Sequence, residues 1–160
     1  MFYKNKKFGF SIVEIIVGVS IALIVFLSVF SALGSALQTL HNNTNIIKAG
    51  FLLEEGLEAF RILRDSGWQG NIASLSIGTN YYFSFNEETW QTITNNVYID
   101  GIFERKFIIS NVYRDVNDDI VASGTLNPDT KKVTIYVSWL NEGATTTKSI
   151  SAYFTNLFKN

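Results

Sequence analysis

Residues 46–68, "IIKAGFLLEEGLEAFRILRDSGW", decide the fold. Ile46, Gly50, Leu53, Leu57, Phe60 and Leu63 or Arg64 recur at steps of three and four, the spacing of one helix face. Lys48, Glu54, Glu55, Glu58 and Arg61 fall largely on the other side. Glu58 and Arg61 are attractive neighbours three apart, whereas Glu54 and Glu58, four apart, repel. Gly67 follows as the residue expected to cap the helix in the αL conformation. A helix with a single apolar stripe needs a partner layer, and the natural one is a sheet.

Upstream the helix continues and its character changes. Residues 15–37, "IIVGVSIALIVFLSVFSALGSAL", carry no charge. At 1.5 Å per residue they span about 34 Å, enough for a hydrocarbon core of about 30 Å. The polar patch "TLHNNTN" (39–45) marks where the shaft leaves the membrane, and its His41 reads as a solvated helix residue. One helix from about residue 10 to 65 is about 80 Å long, far beyond the globular norm. Residues 1–9, "MFYKNKKFG", hold Lys4, Lys6 and Lys7 and no acid. Lysines before a span keep the N-terminus in the cytoplasm and send the bulk of the chain across.

Glu14 interrupts this apolar run. An ionisable group in hydrocarbon costs about 2.5–3.5 kcal/mol even on lenient insertion scales. A secretory signal peptide is one reading, with small residues at "ALGSA" (32–36), but such apolar regions run about 7–15 residues. A plain single-pass anchor is another, with Glu14 reaching the headgroups.

A third reading accounts for the glycine and the carboxylate together. The run Lys6, Lys7, Phe8, Gly9, Phe10, Ser11, Ile12, Val13, Glu14 resembles the leader and first mature residues of type IV pilins and pseudopilins. The segment "FLLEEGLEAFRILRDSGW" (51–68) also resembles one common in minor pilins of that family. The resemblance implies cleavage by a prepilin peptidase between Gly9 and Phe10, followed by N-methylation of Phe10. It assigns Glu14 to subunit assembly: the new amine on Phe10 of one subunit lies beside the Glu14 carboxylate of another, and pairing offsets the cost of two isolated charges. The family often has a helix-softening Pro in the apolar segment; Ser31 stands there in this chain, and Gly18 and Gly34 are left to supply any flexibility.

Downstream, residues 68–160 are rich in Thr, Tyr, Val, Ile and Phe. "YYFSF" (81–85) reads as a strand. "VYIDGIFERKFIISNVY" (97–113) reads as a hairpin with a type I′ turn at Asp100-Gly101. "DIVASGTL" (119–126) and "KVTIYVSWL" (132–140) flank "NPDT", which reads as a type I turn with Pro128 at its second position. Val133, Ile135, Val137 and Trp139 should face one way. "TKSISAYF" (147–154) follows a turn at Gly143. The expected architecture is α+β: a long N-terminal helix packed on an antiparallel meander of four to six strands, the ladle-shaped arrangement that the resemblance implies. Its parts are a leader (1–9), a transmembrane and assembly helix (10–37), the amphipathic half of the helix (38–66) and an extracytoplasmic β domain (67–160).

Few residues offer chemistry. Lys+Arg is 13 against 14 Asp+Glu, a net charge of −1, which gives no basic stripe for a polyanion. With no Cys, disulfides, thiolate catalysis and Cys-ligated metals are excluded. Asp115, Asn117 and Asp119 have the alternating spacing of a weak calcium loop, but Ile120 and Leu126 stand where an EF-hand needs Gly and Glu. A solvated turn is the simpler reading. Glu87 and Glu88 are adjacent and form no dyad, and Trp68, Trp90 and Trp139 read as core filling. There is no phosphate loop, His/Asp metal cluster or nucleophile elbow.

The expectation is therefore a non-enzymatic, cofactor-free structural subunit, and a minor one, of a type IV pilus or a secretion-like pseudopilus. Its partners would be the prepilin peptidase, other pilin or pseudopilin subunits, the inner-membrane assembly platform and the bilayer, with nucleic acid only for a DNA-uptake pilus. It would sit in the inner membrane as a single span with the β domain outside, then in the fibre. The rival is a membrane-anchored extracytoplasmic binding or sensor module.

Overall fold

The computed structural model describes residues 9, 11–86, 88–141 and 143–157. A single α-helix, α1 (Ile12–Ser66), is followed by a π-helical segment (Gln69–Ala73) and seven strands. These are β1 (Tyr81–Phe85), β2 (Trp90–Ile93), β3 (Tyr98–Ile99), β4 (Phe103–Arg114), β5 (Ile120–Val121), β6 (Thr125–Asn141) and β7 (Ala144–Thr155). The expected α+β order, helix first and antiparallel sheet after, is the observed one. The chain divides into two units, Met1–Thr44 and Asn45–Asn160.

The sheet order is β2-β1-β4-β6-β7, with β3 and β5 paired to the two ends of β4. Every pairing is antiparallel. Seven strands replace the four to six expected: β3 and β5 fall within the stretches read at 97–113 and 119–126, whereas β2, four residues long, is too short to carry a readable alternation. The turn at Asp100-Gly101 is as expected: both residues have positive φ (52° and 66°), and Ile102 N–H donates to the Ile99 carbonyl at 3.0 Å.

The turn expected at 127–130 does not form. These residues lie inside β6, which runs straight through Pro128. The register against β4 jumps from Asn111↔Lys131 to Val112↔Asn127, so residues 128–130 bulge out of that ladder. Pro128 therefore misses no ladder bond through its absent N–H. Long-range contacts hold the stretch extended: Asn156 N–H donates to the Asp129 carbonyl at 2.8 Å, and Thr130 pairs with Thr155. The chain reverses at 115–119 and at Gly143, both as expected.

One face of the sheet is buried by α1 residues of the same unit. It presents Phe103, Arg105, Phe107 and Ile109 of β4 beside Val133, Ile135, Val137 and Trp139 of β6. Phe60 sits at the centre, edge-on to Phe107 at 5.4 Å between ring centroids and 4.8 Å from Phe154. Each fully buried large apolar side chain contributes about 1.5–3 kcal/mol. The other face carries hydroxyl rungs between β6 and β7: Thr134 with Ser151 (2.9 Å), Ser138 with Thr147 (2.9 Å) and Thr130 with Thr155 (3.2 Å).

The helix stripe differs from the expected one at its start. Asn45, Ala49, Leu53, Gly56, Ala59, Phe60 and Leu63 are buried, whereas Ile46 and Gly50 are exposed and Leu57 is half-buried. Small residues decide this. A Cβ on Gly56 would stand 3.1 Å from two methyl carbons of Ile135, so helix and sheet approach closely there. Ala49 and Ala59, both fully buried, extend the same low ridge. Gly67 ends the helix at φ 153°, outside the αL well that was expected, with its N–H bonded to the Arg64 carbonyl at 3.3 Å.

Candidate functional site

Gly9 is exposed and precedes the helix; Phe10, Lys4, Lys6 and Lys7 lie outside the described residues. Ile15 N–H bonds the Ser11 carbonyl at 3.2 Å, which starts the helix. Glu14 lies in the first turn, where the unpaired N–H groups favour a negative charge by about 0.3–1 kcal/mol. It is exposed, and it is the one charged residue between positions 12 and 40.

The rest of that stretch is prepared for an apolar surrounding. Ser20, Ser28, Ser35 and Thr39 donate their hydroxyls to carbonyls four residues back, at 2.7, 2.8, 3.2 and 3.0 Å. Such bonds remove the penalty of an unsatisfied hydroxyl in lipid or protein. The large side chains from Ile12 to Leu40 are all more than half exposed. The helix is long and apolar enough to cross a membrane by length and composition. None of the ion pairs among the described residues includes Glu14.

Asp115, Asn117 and Asp119 lie together in the turn between β4 and β5. Asp115 Oδ1 accepts the N–H groups of Asn117 (2.8 Å) and Asp119 (3.0 Å), and Asp118, at φ 68°, lies 3.5 Å from Arg114. The Asp115 carboxylate thus closes the turn. Among the described residues no group of three or more His, Asp or Glu side chains is arranged to hold a metal ion. Trp68 and Trp139 are buried, Trp139 against Phe103, and Trp90 packs on Phe83 and Phe85. Glu87 is outside the described residues.

One cluster went unread in the sequence. Arg105, 5% exposed, reaches from β4 under the helix. Its guanidinium lies 2.9 Å from Glu55, donates to the Leu52 carbonyl at 3.3 Å, and stands over the rings of Phe83 (5.4 Å) and Trp90 (5.5 Å). The signal was its phase: Arg105 sits between Phe103 and Phe107, two residues from each, and so shares their face. On the opposite face Tyr82 donates to Glu104 at 3.0 Å, and burial, with that carboxylate beside it, pushes the phenol above its usual range. At the helix end the Arg64 hydrogen bond holds the Asp65 carboxyl below the usual carboxylate range.

No family model matches the chain, and no curated protein or solved structure matches it.

Proposed function

We propose that this chain is a prepilin-like structural subunit, minor in its filament, of a type IV pilus or a related pseudopilus. A single observation carries the reading: Glu14 is the lone charge in the exposed apolar stretch from Ile12 to Leu40, and it follows a basic leader and Gly9 in the register of that family's processing site. Cleavage between Gly9 and Phe10 creates a cation of the kind that Glu14 lacks among the ion pairs of the described residues. In a staggered bundle the amine of one copy meets the carboxylate of the next, and a misregistered copy leaves both charges unpaired in an apolar surrounding. The chain is held by residues 10–37 in the inner membrane until it is assembled, with the β domain outside. No enzymatic step is assigned to it.

Intact mass spectrometry of the membrane-extracted protein tests this. The expected mass lacks residues 1–9 and gains one methyl group. An uncut N-terminus favours a membrane-anchored binding or sensor module, and a cut near residue 34 or 36 favours a secreted protein. Gly9→Val should block processing, whereas Glu14→Val should be processed and then assemble poorly.

A further inference from the structure

Three contacts fix which end of the sheet α1 meets first. Lys48 pairs with Asp100 at 3.6 Å, Arg105 donates to the Leu52 carbonyl, and Trp139 packs on Phe103. The start of β4 and the end of β6 are therefore level with residues 48–52. Tyr98 is paired with Glu104, and Glu104 with Ser138. Continuing two residues along both strands brings Ile102 and Leu140 to the same end. Tyr98, Ile102 and Leu140 are 61%, 44% and 68% exposed. Charge around them is sparse. From 97 to 103 the one charged residue is Asp100, already paired with Lys48, and from 133 to 141 there is none. The opposite end of β4 differs: its turn, 114–119, holds Arg114 with Asp115, Asp118 and Asp119.

The chain itself brings a surface to the uncharged end. The apolar segment without charge ends at Leu37, and Asn45 is the first buried residue of α1. The steps from 37 to 45 span about 12 Å as a helix and at most about 29 Å fully drawn out. The headgroup layer takes up about 5–7 Å beyond the hydrocarbon on each side. A sheet end tethered over such a distance meets the bilayer at an effective concentration in the millimolar range, so a patch of weak affinity is held there. Tyr suits that layer, with an apolar ring and a hydroxyl that stays hydrated, and Ile and Leu supply the apolar contact.

We infer that Tyr98, Ile102 and Leu140 are a lipid-contacting surface, which rests on the headgroup layer of the bilayer that holds residues 15–37. The inference rests on the membrane anchor of the proposed function, not on filament assembly, and goes further. It gives the sheet a lipid-facing end and leaves the acidic turn at 114–119 in water.

The chain has no cysteine, so Leu23→Cys, Ile102→Cys, Leu140→Cys and Val116→Cys each give a single site for an environment-sensitive fluorophore. Val116, 99% exposed on the acidic turn, is the control for water. The full chain with one label is reconstituted in vesicles of phosphatidylethanolamine and phosphatidylglycerol, with and without a lipid that carries a headgroup nitroxide. The nitroxide should quench the labels at 102 and 140 at least about twofold more than the label at 116, as for any group held at the interface. Quenching at 102 and 140 no stronger than at 116, while the label at 23 emits as in hydrocarbon, overturns the lipid-contacting surface and leaves the anchor standing. A label at 23 that reports water overturns the anchor, and the surface with it. As a second measurement, Leu140→Glu should bring quenching at 102 down to the level at 116, with near-UV circular dichroism unchanged. Undiminished quenching in that variant means that the fluorophore and not the protein seeks lipid, and it overturns the surface as well.

Discussion

Replacing Arg105 separates charge from volume in the contact between helix and sheet. Three variants are informative: Glu55→Ala, Arg105→Met and Arg105→Ala. Glu55 is 48% exposed, so its attraction for the guanidinium at 2.9 Å is screened by water, and removing it leaves Arg105 the Leu52 carbonyl and two ring faces. A charged hydrogen bond is worth about 1.5–3 kcal/mol, and half-exposure puts Glu55→Ala at the low end, about 1–2 kcal/mol. Arg105→Met keeps an unbranched chain against Phe83 and Trp90 and removes a buried charge. Apolar replacement of a buried ion pair is often neutral, so the loss should stay within about 1 kcal/mol. Arg105→Ala opens a cavity at the same place, at a cost of about 2–5 kcal/mol. The assay is urea unfolding of the detergent-solubilised full chain, followed by tryptophan fluorescence, since Trp90 lies on the guanidinium. The expected order of loss is Arg105→Met, then Glu55→Ala, then Arg105→Ala. If Arg105→Met falls as far as Arg105→Ala, the charge and not the packing holds this contact, and the reasoning fails.

Other outcomes follow from local geometry. Gly56→Leu should cost about 1–3 kcal/mol by overpacking against Ile135, whereas Gly56→Ala, which gains helix propensity, should stay within about 1 kcal/mol of the parent; thermal unfolding distinguishes them. Phe60→Ala, at the centre of the aromatic core, should cost about 3–5 kcal/mol in the same assay. Because the folded state raises the Tyr82 phenol above its usual value, the protein keeps that proton longer folded than unfolded. Stability from this source is full below about pH 10 and is lost as the pH rises through the folded value, and Tyr82→Phe should flatten that alkaline limb of a urea-stability profile. Asp115→Ala should lower stability by about 1–2 kcal/mol through its two lost N–H bonds, equally with and without millimolar calcium; stabilisation by calcium in the parent alone would instead mark the turn as a cation site.

Which parts of this molecule could be read from the sequence depends on where their determinants lie. The Asp100-Gly101 turn and the alternation of Val133, Ile135, Val137 and Trp139 are set within a few residues, and both are found as expected. "NPDT" has equally good turn chemistry but sits inside β6, because its competitors are Asn156 and Thr155, far along the chain. Hydrophobicity favoured Ile46 over Ala49 for the buried stripe, yet the close approach of helix and sheet selects small residues. Arg105 was hidden by its charge, although its phase placed it among core residues.

Glu14 and Phe51 are a different kind of case. Glu14 was read as an anomaly, a carboxylate in an apolar run; Phe51, a large ring on the polar side of an amphipathic helix, went unread. Folding the chain relieves neither. Glu14 has no cation among the described ion pairs, and Phe51 remains two-thirds exposed. The other misfits of the sequence, Arg105 and Pro128, are resolved inside the fold by a carboxylate and a bulge. When the anomalies that lie within one sheet resolve and those along one helix do not, the remaining partners are best sought in a second molecule. Both lie on α1, the element through which the proposed subunit would meet its neighbours.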